Sequence, residues 1–239
     1  IHDGAIGKLM VLRGYWNGDG IWVRRRKELA QVLGHEPTEM EYQINNWYHF
    51  CWLSGDNICE QHIHNLDVCN WAKGAHPVEA NGMGGCSVRY SGDNKGVGQI
   101  FDHNFVEFTY ADGTKLYSQC RHIPSTWINV SEAAAGTEGE SNCAGWIKGK
   151  EEWHFKGKNL NSMVQEHKDL QDAIASGAKY NEGYHGATSS MTAVLGRSPR
   201  SVAYVACDPA ALGRDLRQAI QLGYEVAAVT AFDLFPLTH

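Results

Sequence analysis

No apolar stretch in the 239 residues approaches the length needed to cross a bilayer, and no charged-then-greasy leader opens the sequence, so a soluble, cytoplasmic protein is expected. No CxxC pair occurs among the seven cysteines, and their odd number and scattered spacing argue against a zinc ribbon and a disulfide framework. Most of them are expected to serve as small buried hydrophobes. Long runs of one charge are missing as well. The formal net charge of -6 comes from interspersed acids and bases, which argues against nonspecific binding to nucleic acid or to an anionic membrane. There is no internal repeat, and no GxSxG elbow of the kind a Ser-His-Asp hydrolase builds. What remains is an ordinary globular balance, 43% hydrophobic against 20% charged, with a core large enough for one domain or two small ones. Twelve histidines are more than such a chain usually carries, and their placement matters more than their number.

GKLMVLRGYWN, residues 7–17, reads as a strand. TEMEYQINNWYHFCW opens with Thr38 three residues before Glu41, a capping box, and repeats apolar residues at Met40, Ile44, Trp47 and Cys51, which predicts a helix. From residue 83 to 156 the period changes to two. Val106, Phe108 and Tyr110 share one strand face, Asp112-Gly113 supplies a hairpin turn, and Leu116, Ser118, Cys120 and His122 share a face of the next strand. WINVSEAAAG, CAGWI and EEWHF extend an antiparallel meander. SMVQEHKDLQDAIAS returns to helical spacing through Met163, Val164, His167, Leu170 and Ile174, and a further helix is expected over about 187–195. The last forty residues predict a small βαβ unit, with Asp208-Pro209 as the cap and first turn of its helix. The expected architecture is α+β: an open, mainly antiparallel sheet with helices packed on one face over 1–197, and a βαβ tail over 198–239.

The densest chemistry lies in ICEQHIHNLDVCNW, residues 58–71. Read as a helix capped by Asp56 or Asn57, the stretch aligns Glu60, His64 and Asp67 on one face at i, i+4 and i+7 and turns His62 away from His64. Read as extended chain, it projects His62 and His64 together as a chelating pair. The helix is the favoured reading.

WYHFCWLSGDNICEQHIHNLDVCNW and NEGYHGATSSMTAVLGR resemble the C-terminal, substrate-binding domain of the Gfo/Idh/MocA family of NAD(P)-dependent sugar and inositol oxidoreductases, over residues 7–197. In that family an Asp-x-x-x-His pair on the corresponding helix faces the nicotinamide and the reacting hydroxyl; the matching positions here are Glu60 and His64. The resemblance also implies a preceding Rossmann domain and a catalytic lysine, and the sequence starts after both. Gly82-Met83-Gly84-Gly85 does not follow a strand and open a helix as a dinucleotide fingerprint does, so NAD binding is not expected. The tail, in VAYVACDPAALGRDL and FDLFPLTH, resembles the end of the RNA uracil-5-methyltransferases, and Cys207 matches the position of that family's nucleophile. Without an S-adenosylmethionine domain its expected role is packing.

Stripped of a coenzyme domain, a carboxylate and an imidazole four apart on a helix form a half-site for a divalent metal. The expected ligands are Glu60, His62, His64 and His122, with zinc the expected ion; Cys120, His103, His154 and His185 are further candidates. A metal held this way lowers the pKa of bound water, which suits hydrolysis of activated esters, phosphoesters above all, with Glu60 and His64 catalytic. Two other readings stand beside it: a noncatalytic sugar-binding or oligomerisation module, and half of a dehydrogenase completed by a separate Rossmann chain. Expected partners are a small-molecule substrate and a second copy of the chain through the open sheet face.

Overall fold

The computed structural model describes residues 1–88, 97–150, 152–158, 160–179 and 181–197, with Arg217, Ile220 and Glu225 beyond them. Ile1–Ser198 and Pro199–His239 are separate compact units. In the second, Arg217 and Ile220 are helical, and the rest of the expected βαβ unit, Cys207 included, lies outside the described residues.

Eight strands make one open sheet: β1 (Leu9–Gly18), β2 (Pro77–Gly85), β3 (His103–Tyr110), β4 (Lys115–His122), β5 (Asn129–Gly136), β6 (Glu140–Ser141), β7 (Trp146–Lys148) and β8 (Trp153–His154). Their order is β2-β3-β4-β1-β5-β6-β7-β8, antiparallel throughout except where β1 runs parallel to β4. The sheet is therefore not the plain meander its second half suggests. The first strand has been inserted at the centre, where Leu12 is fully buried and both edges of β1 are hydrogen-bonded. The period-two pattern holds closely in β3 and β4. Val106, Phe108 and Tyr110 on one strand and Leu116, Ser118, Cys120 and His122 on the next are all buried on a common face, and Gly113, at φ 85°, makes the turn between them.

Helices α1 (Arg26–Leu33), α2 (Glu39–Asn45), α3 (Cys51–Ser54), α4 (Asn57–Glu60) and α5 (Ile63–Lys73) follow β1, with a 3-10 turn at Trp47–His49; α6 (Ser162–Ser176) and α7 (Gly183–Arg197) follow the sheet. The core forms where α4, α5 and α7 cover the buried sheet face: Leu12, Ile58, Leu66, Cys69, Phe108, Tyr110, Leu116 and Ala193 pack in one cluster. Each large apolar side chain sealed this way contributes roughly 1.5–3 kcal/mol. Polar ties fix the helices in register over it. Tyr110 donates its hydroxyl to Asn70 Oδ1 at 2.9 Å, and Asn70 Nδ2 donates to Thr192 Oγ1 at 3.0 Å, so β3, α5 and α7 share one buried side chain.

Two helices differ from expectation. The capping box of α2 forms as predicted, Glu41 N donating to Thr38 Oγ1 at 3.3 Å and Thr38 N to Glu41 Oε2 at 2.9 Å. The expected apolar stripe nevertheless faces outward, Met40 being 56% and Ile44 53% exposed, because Tyr42 is the residue that packs with Leu29 and Phe50. Its ring also carries the Arg26 guanidinium 4.0 Å above it, a cation–π contact that none of the stripe residues makes. In α6 the cap is present, Asn161 Oδ1 accepting from Met163 N and Val164 N, yet none of its residues is buried. Helices α5 and α7, not α6, cover the sheet.

Candidate active site at a helix break

The stretch 58–71 is helical, but it is two helices rather than one. Asp56 caps α4 by accepting from Asn57 N at 2.6 Å. The carbonyl of Asn57 then receives both Gln61 N at 3.2 Å and His62 N at 3.1 Å, and the ladder restarts through His64 N to Gln61 O at 3.3 Å. Widening from i−4 to i−5 followed by tightening to i−3 is how a helix changes direction without losing its hydrogen bonds.

The tertiary cause is His62. Its side chain is fully buried between α5 and the sheet, where its Nδ1 lies 3.0 Å from Asn65 Oδ1 and its Nε2 lies 2.7 Å from Ser118 Oγ. Asn65 Nδ2 in turn donates to Glu132 Oε1 at 2.5 Å, which orients the amide and makes its oxygen the group facing the ring. His62 therefore donates from Nδ1 and accepts the Ser118 proton at Nε2. Burial, the larger cause, and the field of His122 push its pKa down to about 4, while the Asn65 hydrogen bond works the other way. Gly14 of β1 lies directly beneath the ring, a Cβ there standing in ordinary contact at 3.6 Å from His62 Cε1 and 3.5 Å from Asn65 Cβ.

Glu60 and His64 flank this buried ring on the outside. One carboxylate oxygen of Glu60 is buried and has no hydrogen-bond partner among the described residues. That desolvation raises the carboxyl above the usual glutamate range, and the nearby His64 opposes it. His64 is exposed, its ring 5.9 Å from that of Trp16 at the end of β1. Gln61, between them, accepts from His122 Nε2 at 3.0 Å, and Tyr48 OH lies 3.5 Å from the other nitrogen of His122. The 3-10 turn and the helix break thus meet at the C-terminal ends of the interior strands β1 and β4.

These positions correct the expected metal site. His62 has both ring nitrogens engaged beneath the helix, whereas His64 points to solvent, so the two cannot grip one ion. His122 is held by Gln61 rather than by Glu60. Among the described residues no three His, Cys, Asp or Glu side chains are gathered in a way that could hold a metal ion. Cys120 is buried, which holds its thiol pKa well above the ordinary value, and its Sγ lies 3.8 Å from Asn57 O. His103, His154 and His185 lie apart, on β3, β8 and α7. Ser118, Asn65 and Glu132 were the residues the sequence did not single out. A hydroxyl at a core position of an alternating strand, such as Ser118, is the signal that could have found them, since it requires a buried partner.

Gly82, Gly84 and Gly85 lie inside β2, paired with Val106, Asn104 and His103 of β3, not at a strand-to-helix turn where backbone N–H groups could cradle a pyrophosphate.

No protein-family model matches the chain. Solved structures with the same fold include aldose-aldose oxidoreductase from Caulobacter crescentus (TM-score 0.57, 14% identity, 85% of this chain and 58% of that one). Myo-inositol 2-dehydrogenase from Lactobacillus plantarum (0.54, 15%, 82% and 56%) and a levoglucosan dehydrogenase in complex with NADH and levoglucosan (0.58, 14%, 82% and 57%) are similar to the same degree. The chain spans less than three fifths of each of these structures. A different likeness covers 40 residues, 62% identical to an uncharacterised RNA methyltransferase of Streptomyces avermitilis, 17% of this chain and 9% of that protein. A 23S rRNA (uracil(1939)-C(5))-methyltransferase of Klebsiella pneumoniae is 30% identical over 100 residues, 38% of this chain and 23% of that protein. The chain thus joins a domain with the fold of the Gfo/Idh/MocA oxidoreductases to a short stretch resembling the RNA uracil-5-methyltransferases.

Proposed function

We propose that the helix break forms the hydroxyl-binding side of a sugar or polyol oxidoreductase site, with His64 exchanging the substrate's hydroxyl proton beside the half-buried Glu60 carboxyl. The carrying observation is the Glu60 oxygen that is buried, unpartnered and next to an exposed histidine one turn on. A carboxyl whose ionisation is disfavoured gains most from a proton-bearing neighbour, which is the arrangement general acid–base chemistry uses. Trp16, its ring centroid 5.9 Å from that of the imidazole, offers an apolar ring face on which a sugar can rest. The structural neighbours, an aldose, an inositol and a levoglucosan enzyme, suggest the substrate class. On this reading a dinucleotide-binding partner, which the described residues do not themselves provide, completes the reaction.

Saturation-transfer NMR with myo-inositol and with D-glucose tests the site directly. Transfer from the wild-type chain that disappears in His64→Ala, with the fold intact by circular dichroism, is the expected result; no transfer, or transfer equal in the two chains, overturns it. The metal-activated hydrolysis of phosphoesters has lost its assembled ligands. Hydrolysis of p-nitrophenyl phosphate that a chelator abolishes would restore that reading and remove this one.

A further inference from the structure

Gln61 is held at one end and free at the other. Its main chain is spent in the helix break, the N–H donating to Asn57 O at 3.2 Å and the carbonyl accepting from His64 N at 3.3 Å. Its side-chain Oε1 accepts from His122 Nε2 at 3.0 Å. The other end of the carboxamide, Nε2, has no acceptor among the described residues and, unlike the second oxygen of Glu60, is not sealed from solvent. The residue is half-buried, so its amide keeps N–H donors unspent at the surface of the break.

The held end is anchored in the core. His122 closes the helix-facing row of β4 and is buried, and its backbone N donates to Asp102 O at 2.7 Å. Tyr48, also buried, sets its ring edge-on to the imidazole at 5.8 Å with its hydroxyl 3.5 Å from Nδ1. A hydroxyl donating toward Nδ1 leaves the ring proton on Nε2, the nitrogen that faces Gln61. An amide whose oxygen is fixed by a buried donor has the direction of its NH2 fixed with it, so little rotamer freedom remains to be lost when a ligand oxygen arrives.

His64 stands beside this amide. The bond from His64 N to Gln61 O is a step of three residues, and side chains three apart in so tight a turn lie one above the other. The sheet beneath keeps the two together: Trp16, next to the His64 ring, and His122, next to the Gln61 amide, stand near the ends of the adjacent strands β1 and β4. An imidazole that engages one hydroxyl therefore has an N–H donor at the neighbouring position. We propose that Gln61 is the specificity residue of this site, its Nε2 donating to the hydroxyl oxygen next to the one that engages His64, so that the site selects polyols with hydroxyls on adjacent carbons. His122 is its positioning residue. This role rests on the sugar or polyol reading of the helix break and narrows it to vicinal diols.

Saturation-transfer NMR titrations with 1,2,3-cyclohexanetriol and 1,3,5-cyclohexanetriol test it, because the two isomers carry equal numbers of hydroxyls on one ring and only the first has them on adjacent carbons. The wild-type chain is expected to bind the 1,2,3 isomer about fivefold more tightly, the size of one neutral hydrogen bond. Gln61→Met keeps the length of the side chain and removes the amide, and the ratio of the two affinities should fall to about one. His122→Phe frees the amide to turn, and the ratio should fall partway. Circular dichroism establishes that both variants are folded. Equal binding of the isomers by the wild-type chain, or a preference that survives Gln61→Met unchanged, overturns the role of Gln61 and leaves that of His64 standing. No binding of either isomer by the wild-type chain, or binding unchanged in His64→Ala, overturns both together.

Discussion

His62 Nε2 sits 2.7 Å from Ser118 Oγ in the sealed interface between α5 and β4, while His64, two residues later, stands in solvent. The two histidines of one short motif therefore have opposite fates, and the buried one shapes the site of the exposed one. Its ring lies between the helix and Gly14 of β1, and the helix widens at Gln61–His62 where the ring turns inward. Glu60 and His64 end up on either side of that widening.

The pH dependence of folding should carry the signature of His62. Its native pKa of about 4 lies below the ordinary 6.5, so between these values the unfolded chain binds the proton that the native chain excludes. Stability from this group is thus complete above about pH 6.5 and is lost as the pH falls toward 4, by ~3 kcal/mol at most. Urea midpoints at pH 7 and pH 5 measure it. His62→Gln, which has no proton to gain, should be less stable at pH 7 yet show a flatter acid limb; an acid limb as steep as that of the wild type would remove His62 as its source.

Tyr110→Phe isolates the polar tie above the core. The substitution deletes one oxygen from a fully packed ring and leaves Asn70 Oδ1 buried without the hydroxyl it accepts at 2.9 Å. A cost of about 1–2 kcal/mol is expected from equilibrium denaturation. The double variant Tyr110→Phe with Asn70→Leu should cost less than the sum of the two single changes, because the orphaned amide is gone.

The legible parts of this fold were those that repeat. Alternation in 106–122 located two strands and the buried face of each, and the Thr38–Glu41 box located a helix start to the residue. Glu60 and His64 were marked by resemblance, and both flank the helix break over the ends of β1 and β4. What periodicity could not supply was the partner of each face. Apolar spacing in α2 and α6 predicted stripes that the structure turns outward, since a stripe says only that one side is greasy and not that a neighbour is there to cover it. The central position of β1 was hidden for a similar reason: strand order depends on contacts across more than a hundred residues, Gly14 against Ser118 and Glu132, which no local pattern records. The partner of His62 was hidden at the same scale, since Ser118 lies 56 residues further on.

The coupling of Glu60 and His64 can be read one carboxyl at a time. Burial raises the Glu60 carboxyl, and the positive charge that His64 carries at low pH partly offsets the rise. Removing that charge in His64→Asn should therefore move the Glu60 midpoint higher still, seen by carbon-detected NMR of the side-chain carboxyl. A midpoint that stays put or falls would mean that the imidazole does not act on the acid, and the proton-exchange pair would lose its basis.

Asp56 offers a test of strain at the start of the same motif. It holds φ 79° and ψ 168°, a region that glycine occupies freely and other residues reach at roughly 1–3 kcal/mol. The side chain holds the residue there: it accepts from Asn57 N at 2.6 Å and from Phe101 N at 3.3 Å, and the backbone N–H donates to Ser54 Oγ at 3.1 Å. Asp56→Ala deletes both side-chain acceptors and keeps the strain, so it should destabilise by about 2–4 kcal/mol. Asp56→Gly deletes the same acceptors but frees the backbone, and it should recover about 1 kcal/mol or more of that loss in urea denaturation. If the glycine variant unfolds at the same urea concentration as the alanine variant, or earlier, the backbone at Asp56 stores no energy. The helix start would then owe its geometry to the hydrogen bonds alone, and the widening at Gln61–His62 would remain the one distortion that the His62 ring imposes on this motif.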